Sequence, residues 1–257
     1  MAGAMLDGWL AAGLDRRQIT VVDPYLDAAP EDVRLLREPP EDEVPALVLL
    51  GVKPQKLDEV APMLAPALDP HTILISILAG TELASLKARF PAYDRIIRAM
   101  PNTPVRLRKG AIGLHAAGAD EAACRTAEVL MRHLGLVEWI EQEQLFDAVT
   151  ALSGSGPAFL FRFIDALAEA GAAIGLPKDQ AARLALATIE GSSALAAAAA
   201  DDPHTLAERV ASPGGSTREG LNVLDQDERL KALLRDTLEA ALRRNREMAA
   251  EARAKPD

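Results

Sequence analysis

One six-residue turn, Ser212-Pro213-Gly214-Gly215-Ser216-Thr217, concentrates the groups that could bind or activate a small molecule. A helical pattern ends near Ala211, and another begins at Ser216, where Ser216-x-x-Glu219 reads as a capping box. A Gly-Gly turn feeding a helix N-terminus exposes unpaired N–H groups at the positive end of a helix dipole. That is a ready site for an anion. A carboxylate suits this geometry without an arginine, and the hydroxyls of Ser212, Ser216 and Thr217 add donors. The competing reading of the same residues is an ordinary capped turn.

Three further segments each close an apolar run with small or stiff residues. They are Val52-Lys53-Pro54-Gln55, Ala79-Gly80-Thr81 and Met100-Pro101-Asn102-Thr103-Pro104. Pro101 and Pro104 restrict φ on both sides of Asn102-Thr103 and should hold that loop rigid against a ligand. Taken singly, Lys53 is a solvated lysine at a helix start, and Pro54 a proline at the first helical position. Ser153-Gly154-Ser155-Gly156-Pro157 interrupts two apolar helical stretches. It is either a ligand-facing turn or a tight helix–helix joint in which Gly allows close approach. His71, His115, His133 and His204 lack ligand spacing, so no metal is expected. Cys124 is the one cysteine, which excludes an internal disulfide and a cysteine-based zinc cage.

The elements that must position these residues change character along the chain. Residues 3–13 read as a helix stopped by Gly13. Runs at 18–22, 46–52, 72–78, 95–99 and 136–140 read as strands. Helices are expected near 56–68, 81–89 and 120–134. The runs at 46–52 and 72–78 are continuously apolar, as in strands covered on both faces. This alternation predicts an α/β fold with an open, mostly parallel sheet and helices on both sides. Ligands then bind beyond the carboxyl ends of the strands, where the three loops fall. After about residue 141 only helices are expected, at 144–152, 157–174, 178–200, 203–211, 216–224 and 226–252, with a frayed tail at 251–257. The domains are therefore expected to be 1–141 and 142–257. In the 157–174 helix, Arg162, Asp165 and Glu169 form one narrow stripe, and the rest is apolar. The helix must be buried almost all round, and a second subunit is the economical partner, with a central helix of a monomeric bundle as the other solution.

Composition narrows the partners. The formal net charge is −10, which offers no footprint for a phosphate backbone, so nucleic acid is excluded. No stretch holds ~18 uninterrupted apolar residues, so no membrane span is expected. The first residues lack a basic region, and Asp7 interrupts them, so they do not read as a secretory signal and the chain is expected in the cytoplasm.

In order, the chain carries Val-Lys-Pro-Gln at 52–55, Ala-Gly at 79–80, Met-Pro-Asn-Thr-Pro at 100–104, Asp-Ala-Val-Thr-Ala-Leu-Ser-Gly-Ser-Gly-Pro-Ala at 147–158, Gly-Leu-Pro at 175–177 and Ser-Pro-Gly-Gly-Ser-Thr at 212–217. Together these motifs closely resemble the pyrroline-5-carboxylate reductase family, over about residues 5 to 245. The resemblance implies a Rossmann domain that binds NADPH or NADH and an all-helical domain that interlocks with a partner subunit. It further implies a homo-oligomer, a dimer or a decamer built from dimers, that reduces 1-pyrroline-5-carboxylate to L-proline. By that resemblance Ser212, Gly214, Gly215, Ser216 and Thr217 bind the substrate carboxylate. Thr217 is also the catalytic position whose hydroxyl reaches the ring nitrogen. Gly51, Val52, Lys53, Pro54, Ile77, Leu78, Ala79, Asn102 and Arg209 match cofactor-contacting positions, although relatives carry a different side chain at Arg209. Asp23 ends the 18–22 run. An acid there pairs with a ribose hydroxyl and repels a 2′-phosphate, which favours NADH. It also suits a turn cap before Pro24.

The family opens with a strand and a Gly-x-Gly-x-x-Gly/Ala turn. Met1-Ala2-Gly3 resembles only the end of that turn, so the Rossmann domain is expected to lack its first strand. Two rival readings remain. One is a β-hydroxyacid-type dehydrogenase, which would need a lysine in the helical domain where only Lys178 lies near a motif. The other is a cofactor-deficient helical dimer acting as a binding protein.

Overall fold

Apolar runs become strands, and the two at 73–76 and 96–100 are buried on both faces. β1 (Thr20–Val22) and β2 (Arg34–Leu36) pair in parallel as a two-stranded sheet. β3 (Leu47–Leu50), β4 (Ile73–Ser76), β5 (Ile96–Met100), β6 (Gly110–Ala116) and β7 (Gly135–Trp139) form a second sheet in that order. β3, β4 and β5 are parallel, β6 runs antiparallel to β5, and β7 is parallel to β6. The computed structural model describes residues 1–40 and 42–254.

Alternation along the strands sorts the core into two layers. Ile75 and Ile97 face one layer with Met5 and Trp9 of α1 (Ala2–Ala11) and Ala127 and Met131 of α4 (Glu121–Arg132). Their neighbours Leu74 and Ile96 face the other, with Leu57 and Leu64 of α2 (Leu57–Leu64) and Leu86 of α3 (Leu83–Arg89). The Trp9 indole donates to the Leu130 carbonyl at 2.9 Å, which ties α1 to α4 across the first layer. The sheet thus has helices on both faces, as the alternation of elements implied.

Two strands were not legible in the sequence. β2 is only three residues long. β6 contains Gly110 and Gly113, which weaken a strand pattern. Gly110 is required by packing: a Cβ there would meet Val105 Cγ1 at 2.4 Å. A single sheet was also expected where the strands form two.

The helical pattern beginning after residue 141 does not itself begin the second compact unit. The chain divides into Met1–Ser155, joined by the stretch from Ala241, and Gly156–Ala240. The segment before Ser155 stays with the sheet because α5 (Phe146–Val149) is anchored there. Phe146 is buried, and its ring lies 4.6 Å beneath the Arg98 guanidinium and edge-on to His115. The second unit holds α6 (Gly156–Ala173), α7 (Lys178–Ala198), α8 (Pro203–Val210), α9 (Ser216–Asp225) and the start of α10 (Arg229–Ala254). The expected frayed tail falls, from residue 255 on, outside the described residues.

Gly175, at φ +112°, and Pro177 turn the chain between α6 and α7, which pack on each other. α6 was expected to be buried almost all round. Within one chain none of its residues is buried, and Phe161 is 65% exposed.

Candidate active site

In the sheet unit, three of the sequence-marked loops leave the carboxyl ends of three adjacent parallel strands. β3 ends at Leu50 and releases Gly51-Val52-Lys53-Pro54. β4 ends at Ser76 and releases Ile77-Leu78-Ala79. β5 ends at Met100 and releases Pro101-Asn102. Lys53 precedes a short 3-10 turn with Pro54 at its first position, and its side chain is exposed. Leu78 is buried, and its N–H reaches Ser76 Oγ at 3.4 Å, so a serine inside an apolar run braces this loop.

The start of α1 closes over the same edge. A Cβ on Gly51 would meet Ala2 Cβ at 2.6 Å, so only glycine lets the helix start this close to the strand end. Met1 gives α1 no side-chain cap.

Asp23 leaves β1, and its Oδ1 accepts from the N–H groups of Tyr25 at 2.8 Å and Leu26 at 3.1 Å. The turn-capping role is therefore present. The Arg37 guanidinium donates to the carbonyls of Asp23 at 3.2 Å and Leu26 at 2.6 Å and fixes the same turn.

In the helical unit, the 212–217 turn departs from the expected capping box in one respect. The N-cap of α9 is Gly215, not Ser216, and it supplies no side-chain cap. Ser216 is the first helical residue. Among the described residues nothing accepts a hydrogen bond from the N–H groups of Ser216, Thr217 or Arg218, while Glu219 N–H already bonds to the Gly215 carbonyl at 3.2 Å. Gly214 sits at φ +68°, and a Cβ on Gly215 would lie 2.6 Å from Ser212 Oγ. Both glycines are demanded by the bend, and Ser212 turns its hydroxyl in over it. Gly214, Ser216 and Thr217 are exposed.

Two ion pairs frame the turn. Arg218 holds Glu208 of α8 at 2.5 Å, which keeps the Glu208 carboxyl below its ordinary range. Arg209 is engaged by Asp201 through both guanidinium nitrogens, one at 3.0 Å. Asp202 caps α8 by accepting from Thr205 N–H at 3.0 Å. Both pairs lie on the α8 side of the turn, and its tip is exposed.

Sequence reasoning missed a buried polar cluster in the sheet unit. Arg98, on β5, donates to Glu143 Oε1 at 2.7 Å, and the same oxygen accepts from Leu83 N–H at 2.7 Å, where α3 lacks a cap of its own. Partners 45 residues apart leave no local signal.

The family model that matches residues 143–248 describes the pyrroline-5-carboxylate reductase dimerisation region. A pyrroline-5-carboxylate reductase of Pseudomonas aeruginosa is 37% identical over 97% of this chain and 93% of its own length. The chain belongs to the pyrroline-5-carboxylate reductase family. A solved reductase from Coxiella burnetii superposes with a TM-score of 0.88 at 32% identity, covering 96% of this chain and 94% of that one. The Plasmodium falciparum enzyme, solved with NADP bound, superposes at 0.79 and 25% identity, covering 97% and 96%.

As a pyrroline-5-carboxylate reductase, the protein uses NAD(P)H to reduce 1-pyrroline-5-carboxylate to L-proline, and it is a homo-oligomer. The matched dimerisation region contains α6, whose apolar faces lie open in a single chain. Neither the dehydrogenase of β-hydroxyacids nor the cofactor-deficient binding dimer accounts for both halves at this identity. No helix among the described residues is long and apolar enough to cross a membrane.

Proposed function

We propose that the reduction is divided between two sets of residues. The sheet unit holds the cofactor through Asp23, Gly51, Val52, Lys53, Pro54, Ile77, Leu78 and Ala79, while Asn102, whose carboxamide is bonded at both ends within this unit, braces the same edge. The family resemblance also assigns Arg209 to the cofactor. Ser212, Gly214, Gly215, Ser216 and Thr217 hold the substrate. The observation that carries this reading is the uncapped start of α9, with three consecutive N–H groups that find no acceptor among the described residues behind the Gly214-Gly215 bend.

The chemistry follows from the substrate. It is a small ring with a carboxylate on one carbon and an imine between nitrogen and the carbon that accepts hydride. The carboxylate takes the N–H groups of Ser216 and Thr217 and the Ser212 hydroxyl, as charge-assisted hydrogen bonds at the positive end of α9. This clamp fixes the ring and contributes orientation rather than bond-making. Bound in the sheet unit, the reduced nicotinamide supplies the hydride.

Hydride adds readily only to an imine whose nitrogen is protonated or strongly hydrogen-bonded. Thr217, at the second position of α9, has an exposed hydroxyl that can address this nitrogen. A threonine hydroxyl is too weak an acid to give up its own proton for good. It therefore holds an already protonated imine, or passes a proton in from water. As the C–H bond forms, the imine π pair moves onto nitrogen and a neutral secondary amine results.

Initial rates with Thr217→Ala and Thr217→Ser test this role. Thr217→Ala should lower kcat roughly 10- to 100-fold, and Thr217→Ser should keep most of it. Wild-type kcat in Thr217→Ala would remove Thr217 from the reaction. We further infer a cytoplasmic enzyme, assembled from dimers that can associate into a decamer. A signal for the protein outside the cytoplasmic fraction of its cells would overturn the first part, and a monomer in light scattering the second.

A further inference from the structure

We propose that Asn102 is a positioning residue, whose carboxamide fixes the turn at Thr150–Gly154 against the carboxyl end of β5. The inference rests on the reading above that the cofactor is held at this edge of the sheet. Asn102 is buried, and its two polar ends are committed to different segments. Its Oδ1 accepts from Ala111 N–H at 2.9 Å, at the start of β6. Its Nδ2 donates to the Ser153 carbonyl at 3.1 Å. Its own carbonyl accepts from Val105 N–H at 3.2 Å, which curls the loop after β5.

The segment it reaches is unusual. Thr150–Gly154 is a π-helical turn, closed by Ser155 N–H on the Thr150 carbonyl at 2.9 Å. Ser153 Oγ bonds back to the Val149 carbonyl at 2.8 Å, and Thr150 Oγ1 to that of Phe146 at 2.8 Å. Such turns widen a helix and concentrate at functional sites. In an α-helix the Ser153 carbonyl would accept from the residue four positions on. That residue is Pro157, which has no N–H. The sequence thus orphans a carbonyl and places a side-chain donor from another element beneath it.

Beside that carbonyl the backbone is bare. A Cβ on Gly156 would meet nothing within 4 Å, and one on Gly154 would touch only Thr150. Within the chain, close helix packing does not explain these glycines. Gly154 instead leaves main chain open beside the carbonyl that Asn102 holds. The bond should matter most for the geometry of hydride transfer, hence for kcat.

The test compares Asn102→Ala, which loses both side-chain bonds, with Asn102→Asp, which keeps the acceptor for Ala111 N–H and loses the donor to Ser153. Amide hydrogen exchange on the intact protein reads the turn without reference to catalysis. Both variants should exchange the 150–156 amides at least about 10-fold faster, while Asn102→Asp keeps Ala111 protected. Steady-state rates should show kcat falling about 10- to 100-fold with KM for the imine within about 3-fold. Pro157→Ala returns a backbone donor and should lessen the loss caused by Asn102→Ala. Wild-type exchange at 150–156 in Asn102→Asp overturns the clamp, as does a loss undiminished by Pro157→Ala. Loss of substrate affinity with unchanged kcat overturns the positioning role. A wild-type enzyme inactive on 1-pyrroline-5-carboxylate would instead sink the functional reading and leave the exchange result to judge the clamp.

Discussion

Asp23 and Thr217 show how much a single residue can commit to. Asp23 uses one carboxylate oxygen to cap its own turn, and the carboxylate still places negative charge at the end of β1. Like charge beside a 2′-phosphate costs about 1 kcal/mol in a solvated setting. Asp23→Asn should therefore improve NADPH binding about fivefold relative to NADH, read by titration of cofactor fluorescence. An unchanged ratio would reduce Asp23 to its turn. The residues of the 212–217 turn were legible because glycine and serine chemistry is local. The N-cap was not: Ser216 has the composition of a cap, but the φ of Gly214 carries the helix start one residue earlier, to Gly215. That shift leaves the Ser216 amide, which a capping box would have engaged, without an acceptor among the described residues, while Glu219 N–H bonds to the Gly215 carbonyl.

At the level of elements, the strands whose apolar runs are unbroken were legible, and β6 was not, because packing against Val105 requires glycine at 110 and Gly113 lies close against Val149. The Arg98–Glu143 pair lies beyond any local pattern. Arg98 keeps 6% of its side chain exposed and Glu143 24%, so removing one partner strands a buried charge. Glu143→Ala should destabilise the protein by about 3 kcal/mol in urea unfolding, and it also uncaps α3. Asp202 provides an acid-sensitive contact in α8. Hydrogen bonds from Thr205 hold its carboxyl below the ordinary value. Its contribution is complete above the unfolded carboxylate range near about pH 4 and is lost as pH falls through the lowered folded value. Asp202→Ala should lower the melting temperature at pH 7 and flatten its fall between pH 4 and 2. An unchanged melting temperature at pH 7 would dismiss the cap.

For the whole molecule, the open flank of α6 links the sequence to assembly. Leu160, Phe161 and Phe163 lie 44%, 65% and 45% exposed in one chain, an apolar surface that belongs at an interface between copies. Phe161→Asp should convert the oligomer to monomer in light scattering and abolish activity, and an intact oligomer would move the interface elsewhere. The stripe of Arg162, Asp165 and Glu169 makes that helix readable in the sequence, whereas the anchoring of α5 to the sheet through Phe146 leaves no local pattern. The most direct test of the account is a crystal structure of the enzyme with proline bound. The carboxylate should accept hydrogen bonds, at about 2.7–3.2 Å, from the main-chain N–H groups of Ser216 and Thr217. A carboxylate held by a cationic side chain, with those amides facing only water, would contradict it.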